Sequence, residues 1–148
     1  MNTKKEIMNC LKNFFGRKAL HYGVEMVFLY GSWPRGFPKE DSDVDIAIVF
    51  TKEPVPDDEL FRYLNDISLS LSKELGREIN SIAIQSNFNK PMLYYNAIVL
   101  GIPLFIRDSD RYIRLRNEAV FQMEDFGLFG IDWQVRVTKK NLEELKHE

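Results

Sequence analysis

The stretch from Val27 to Phe50, VFLYGSWPRGFPKEDSDVDIAIVF, constrains this chain more than any other. An apolar run, Val27 to Tyr30, stops at Gly31-Ser32, and a second, Ile46 to Phe50, follows Ser42-Asp43-Val44-Asp45. The pattern reads as strand, glycine turn, short helix or loop, then a strand that opens on two aspartates. Residues i and i+2 of a strand point to one face, so Asp43 and Asp45 project together. Carboxylates that close repel one another unless a cation sits between them. An oxygen-only pair suits Mg²⁺, which is commonly held by one or two carboxylates and by substrate phosphates. Gly31 lets the backbone approach a ligand, free N–H groups in the turn can cradle an anion, and the Ser32 hydroxyl adds a donor. Arg35 and Lys39 put positive charge nearby. Phosphate donors on one edge and a metal dyad on the next describe a nucleoside-triphosphate site.

Either half alone is weak, since an Asp-x-Asp before a strand or a lone Gly-Ser is commonly a solvated turn. Together, between two apolar runs, they are specific. Gly31-Ser32-x-x-Arg35-Gly36, then Ser42-Asp43-x-Asp45 and an apolar strand, resembles the signature of the DNA polymerase β-type nucleotidyltransferase superfamily. In size the chain is similar to its smallest branch, the minimal nucleotidyltransferases, which act as antitoxins of HEPN-domain proteins. The resemblance covers roughly residues 5 to 107. It implies an α/β core of αβαβαβ type, with a mixed sheet of about four strands and flanking helices. It also implies Mg²⁺-dependent transfer of a nucleoside monophosphate with pyrophosphate as product, the acceptor in the antitoxin branch being a tyrosine of the partner toxin. Asp43 and Asp45 would be the catalytic and metal-binding residues, and Gly31, Ser32, Arg35 and Ser42 the nucleotide-binding ones.

One position departs from that pattern. The strand expected over residues 78 to 85 would carry a third carboxylate in this family, and the matching residue here is Asn80. An asparagine amide does not accept a proton near neutral pH and cannot serve as general base. Glu78 lies two residues earlier, about one pleat (~7 Å) out of place; it is a candidate substitute for the missing carboxylate, with a surface or strand-end role the first reading. General-base help is typically worth ~10²- to 10⁴-fold in rate. Phosphoryl transfer rests mostly on positioning and electrostatics. Slow transfer and nucleotide binding without turnover both remain open.

The 148 residues read as one domain. The core is expected over 1–107, and 108–148 as a helical extension of the same domain. A net charge of −2 argues against bulk binding of DNA or RNA, though not against a small nucleotide. The one cysteine, Cys10, excludes an internal disulfide and fits a reducing cytoplasm. The N-terminus lacks the apolar core of a signal peptide, and no run is long enough to span a membrane. His21 is read as a surface residue at a helix end.

Helices are expected at residues 3 to about 21, capped by Thr3 with Ile7, Leu11, Phe14 and Phe15 buried, and at 57 to 75, with Leu60, Leu64, Ile67, Leu71 and Leu75 buried. A short helix follows from Pro91 to Leu100, ended by Gly101; on it Tyr94 and Tyr95 are packing residues before they are base-stacking candidates. Ile102 to Ile106 is expected at the sheet edge, because Pro103 cannot donate to a central ladder. Asp110 to Asp125 has helical spacing, with arginines at 111, 114 and 116 on a solvated face. The apolar Phe126–Trp133, broken by Gly127 and Gly130, is expected either as an interface (homo-oligomeric or with a partner) or as a flap over the core, before a separate polar helix from Lys139 to His147.

The function expected is AMP transfer from ATP, or another NTP, to a tyrosine of a partner HEPN protein. The alternative is a non-catalytic module that neutralises its partner by contact. Transfer to a small molecule ranks lowest, since the chain is too short for a second domain.

Overall fold

The computed structural model describes residues 3–34, 43–52 and 54–146, except the side chains of 126–135 and 137. Arg35, Gly36, Lys39 and Ser42 therefore lie outside the described residues. The elements run α1 (Lys4–Tyr22), β1 (Val24–Tyr30), β2 (Val44–Phe50), α2 (Asp57–Leu75), β3 (Ile79–Ala83), α3 (Pro91–Ile98), β4 (Ile102–Ile106) and α4 (Ser109–Lys146).

The sheet order is β3-β2-β1-β4. β1 is antiparallel to both β2 and β4, whereas β2 and β3 run parallel, so the sheet is mixed. The α/β core expected from the sequence, a mixed sheet of four strands with flanking helices, is thus present. The central strands are covered on both faces, and every residue from Val24 to Leu29 is buried. That is why they read as unbroken apolar runs rather than alternating ones. On one face α1 and α2 bury Ile7, Leu11, Phe14, Phe15, Ile67, Leu71 and Leu75 against Val27, Leu29, Ile46 and Ile48. On the other, Tyr94, Ala97, Ile98 and Ala119 pack on Met26, Phe28, Ala47 and Val49. Each such large side chain, fully buried, contributes about 1.5–3 kcal/mol.

Local signals account for the ends of the elements. Thr3 Oγ1 accepts the Glu6 N–H at 3.2 Å and caps α1. β4 lies at the sheet edge, with Pro103 exposed, as its missing N–H requires. Gly101 does not cap α3, which ends at Ile98. A Cβ at Gly101 would lie 2.3 Å from the Ala97 carbonyl oxygen and 2.7 Å from that of Leu29. The glycine is needed because two backbones pass there, not because a helix stops.

The C-terminal third differs from expectation. α4 is one unbroken helix through Gly127 and Gly130 and absorbs the separate helix expected at Lys139. A glycine inside a helix costs only about 1 kcal/mol and ends it only if the backbone turns left-handed. The expected interface or flap at Phe126–Trp133 concerns side chains outside the described residues. At 38 residues α4 is about 57 Å long. Its first turns pack on α3, with Tyr112 5.8 Å from Phe28 and Ala119 fully buried.

One polar contact ties α4 to the sheet. Glu25 of β1 is almost wholly buried and forms an ion pair with Arg111, whose side chain is 45% exposed. Removing the partner of a buried charge leaves its desolvation uncompensated. Arg111→Ala is expected to lower stability by about 2 kcal/mol in urea unfolding, discounted from fully buried pairs because Arg111 is half exposed.

Candidate active site

The site lies at the end of the sheet where β1 stops and β2 begins. Asp43 immediately precedes β2, and Asp45 is its second residue. In register, Asp45 stands between Tyr30 of β1 and Asn80 of β3. The two aspartates converge on one group. Asn80 Nδ2 donates to Asp45 Oδ1 at 3.1 Å and to Asp43 Oδ2 at 3.4 Å. The strand geometry read from the sequence therefore brings Asp43, Asp45 and Asn80 to one face.

The Gly31 turn closes the other side. Gly31 has φ +84°, and a Cβ on it would lie 2.5 Å from Asp45 Oδ2. Only a residue without a side chain lets this turn sit against the carboxylate. Ser32 follows in the same turn, partly buried.

Two residues that sequence reasoning missed complete the arrangement. Trp33 is 3% exposed, and its indole N–H donates to the Asp43 backbone carbonyl at 3.0 Å. The bond ties the segment after Gly31 to the aspartate that opens β2. The Arg77 guanidinium carbon lies 5.0 Å from the centre of the Trp33 ring, a cation–π distance. The signal was a tryptophan inside a polar turn, where a large apolar side chain is out of place unless something covers it.

Burial pushes the Asp45 carboxyl above the ordinary carboxylate range; the Asn80 hydrogen bond pulls it back, and the Asp43 charge adds to the rise. The Tyr30 phenol is pushed up to about 12 by burial and by the Asp45 charge, so it stays protonated. Glu78 is exposed and precedes β3; its backbone carbonyl accepts the Val44 N–H at 2.9 Å. Tyr94 is 2% exposed, with its hydroxyl 2.8 Å from Asn89 Oδ1, so it packs rather than offering a base-stacking face.

Among the described residues no group of three or more His, Cys, Asp or Glu is placed to hold a metal ion. The donor set nonetheless fits a hard cation. Two carboxylates share one face, one is destabilised by burial and by its neighbour's charge, and a glycine leaves room beside it. Asp43 and Asp45 are the residues that would hold it. A cleft of about 490 Å³ opens at the opposite end of the sheet, lined by Tyr22, Tyr63, Lys52 and Arg107. Its described lining includes one carboxylate, Glu59, and no pair.

Residues 9–110 match the polymerase beta nucleotidyltransferase family. The chain belongs to that family. The match includes Gly31, Asp43, Asp45 and Asn80, and so gives the geometry above its setting: a nucleotidyltransferase domain. No curated protein matches the sequence significantly. Among solved structures, this nucleotidyltransferase is similar in fold to a chain of a toxin–antitoxin complex with AMP-PNP, at 14% identity and TM-score 0.67, over 86% of this chain and 98% of the other. It is similar also to a chain of tri-AMPylated Shewanella oneidensis HEPN toxin in complex with MNT antitoxin, at 11% identity and TM-score 0.64, over 88% and 98% of the two chains. A MntA-HepT toxin–antitoxin structure gives the same identity, score and coverage. At such identities the likeness is one of fold. No helix among the described residues is long and apolar enough to cross a membrane.

Gly31→Ala places a methyl group against Asp45 on a backbone that L residues rarely adopt, and is expected to cost about 1–3 kcal/mol in urea unfolding. Asp45→Asn should do the opposite. The folded protein favours the protonated Asp45 carboxyl, so ionising it at neutral pH opposes folding. The neutral amide is expected to raise Tm by about 2 °C at pH 7 without added metal. The gain should vanish in acid, where the wild-type carboxyl is already protonated.

Proposed function

We propose that this nucleotidyltransferase transfers AMP from ATP to a hydroxyl, that of a tyrosine on a partner HEPN toxin, and that it acts as the antitoxin. The observation that carries the proposal is the convergence of Asp43 and Asp45 on one face beside the Gly31 turn. The fold shared with chains of an AMP-PNP-bound toxin–antitoxin complex and of an AMPylated HEPN complex supports the choice of nucleotide and partner.

In this reading Asp43 and Asp45 hold a Mg²⁺ ion, which when bound would neutralise phosphate charge and orient the triphosphate. The Gly31-Ser32 turn receives the β- and γ-phosphates through backbone N–H groups and the Ser32 hydroxyl. Arg35 is assigned to offset charge on the leaving pyrophosphate, and Ser42 to nucleotide binding. Trp33 keeps Asp43 in place through its carbonyl. The acceptor hydroxyl attacks the α-phosphorus in line, and the bond to the pyrophosphate oxygen breaks. Its proton passes to solvent or to a group of the acceptor protein, since Asn80 takes none. A phenol is well suited to this, because its oxygen is far more acidic than an alkyl hydroxyl.

Asn80 favours a second reading, in which the chain binds nucleotide without turnover and neutralises its partner by contact. One variant separates the two. Calorimetry with a non-hydrolysable ATP analogue is expected to show Mg²⁺-dependent binding that Asp43→Asn/Asp45→Asn weakens at least about 100-fold. The same variant should fail to transfer label from α-labelled ATP to the partner and fail to neutralise it. Full neutralisation by the double variant would support the contact reading. Labelling from UTP but not ATP would overturn the choice of AMP.

A further inference from the structure

We infer that Asn80 holds down the site's own affinity for divalent cations in the nucleotide-free protein. The inference rests on the reading of Asp43 and Asp45 as a cation-binding pair, and it concerns what stands between them.

The Asn80 amide nitrogen donates to one oxygen of each carboxylate. A donated N–H brings partial positive charge to the lone pairs that a cation would use. It therefore relieves the repulsion between the two carboxylates while competing for their oxygens. Asp45 Oδ1 meets the amide, while Oδ2 stands beside the bare backbone of Gly31. The amide is also neutral, so of Asp43, Asp45 and Asn80 only the two aspartates carry formal charge. Mg²⁺ and Mn²⁺ favour six oxygen ligands, and a pair of carboxylates so engaged supplies few of them. The rest must come from water or from phosphate oxygens entering at the Gly31 turn. The cation is thereby made a companion of the nucleotide rather than a resident of the protein.

Asn80 is exposed on β3, an edge strand, so its side chain can be exchanged without opening the core. Aspartate at this position would replace a competing donor by a third anion. Alanine would remove the donor and add no charge. The two substitutions thus separate competition from charge.

The test is Mn²⁺ binding to the nucleotide-free full chain, read by electron paramagnetic resonance of free Mn²⁺, for the wild type, Asn80→Ala and Asn80→Asp. Thermal melts would check that each is folded. Asn80→Asp is expected to bind Mn²⁺ at least about tenfold more tightly than the wild type, and Asn80→Ala more tightly than the wild type by a smaller factor. An Asn80→Asp affinity within twofold of the wild type would overturn the inference. So would an Asn80→Ala affinity at or below it, because the amide would then be either without effect on the cation or ligating it rather than competing with it. Repeating the titrations with a non-hydrolysable ATP analogue reads the functional assignment separately. If the analogue tightens Mn²⁺ binding but Asn80→Asp gains nothing alone, the inference fails and the assignment stands. If Asn80→Asp gains affinity and the analogue tightens no variant, the nucleotide assignment fails and the role of Asn80 stands.

Discussion

Mutual repulsion between two carboxylates at the mouth of a buried strand is the constraint that the rest of the structure serves. Asp45 is fixed in β2 and Asp43 immediately precedes it, with its carbonyl held by the Trp33 indole, so both carboxylates are positioned by a strand buried on both faces. Each neighbouring element answers that charge. β3 brings an amide donor, the turn after β1 brings a bare backbone, and Trp33 clamps the carbonyl of the first aspartate. The burial that raises the Asp45 carboxyl is itself a product of the sheet order, which puts β2 between β1 and β3. Fold and site are therefore one arrangement: the strands that make the core also set the spacing of the charges.

The rest of the molecule supports the strand ends. α1 and α2 close one face of the sheet, and α3 with the first turns of α4 closes the other. The Glu25–Arg111 pair adds a polar tie at the far end of β1, away from the aspartates. A buried ion pair adds little net stability, but it narrows how the helix can seat, because any shift strands the Glu25 carboxylate. This reading, that the pair fixes the docking of α4, rests on the near-complete burial of Glu25.

Much of this was legible in the sequence because strand physics is local. Two apolar runs with Asp43 and Asp45 at a spacing of two suffice to define a strand end with both carboxylates on one face. The stripe Ile7, Leu11, Phe14, Phe15 was enough for α1, and Thr3 for its start. What escaped was non-local or depended on what a local cue meant in context. Trp33 and Arg77 lie far apart in sequence, and their stacking depends on where β3 begins. Gly101 looked like a helix stop, but its real constraint is the backbone of β1, dozens of residues away. Gly127 and Gly130 looked like breakers, yet a glycine in a long helix is only a modest cost.

Asn80 sits on an edge strand, its side chain in solvent, one position across from a central strand that tolerates almost nothing. The sheet thus divides its site residues by their surroundings. The Asp45 backbone is set by a strand packed between two others, while the Asn80 side chain stands in solvent, so exchanging it changes the charge balance of the two aspartates rather than the core. A lineage built on this scaffold can alter the strength of its chemistry through one exposed position and keep the same folded protein. The strand order leaves the electrostatics of the aspartate pair adjustable from one exposed position at the edge of the sheet.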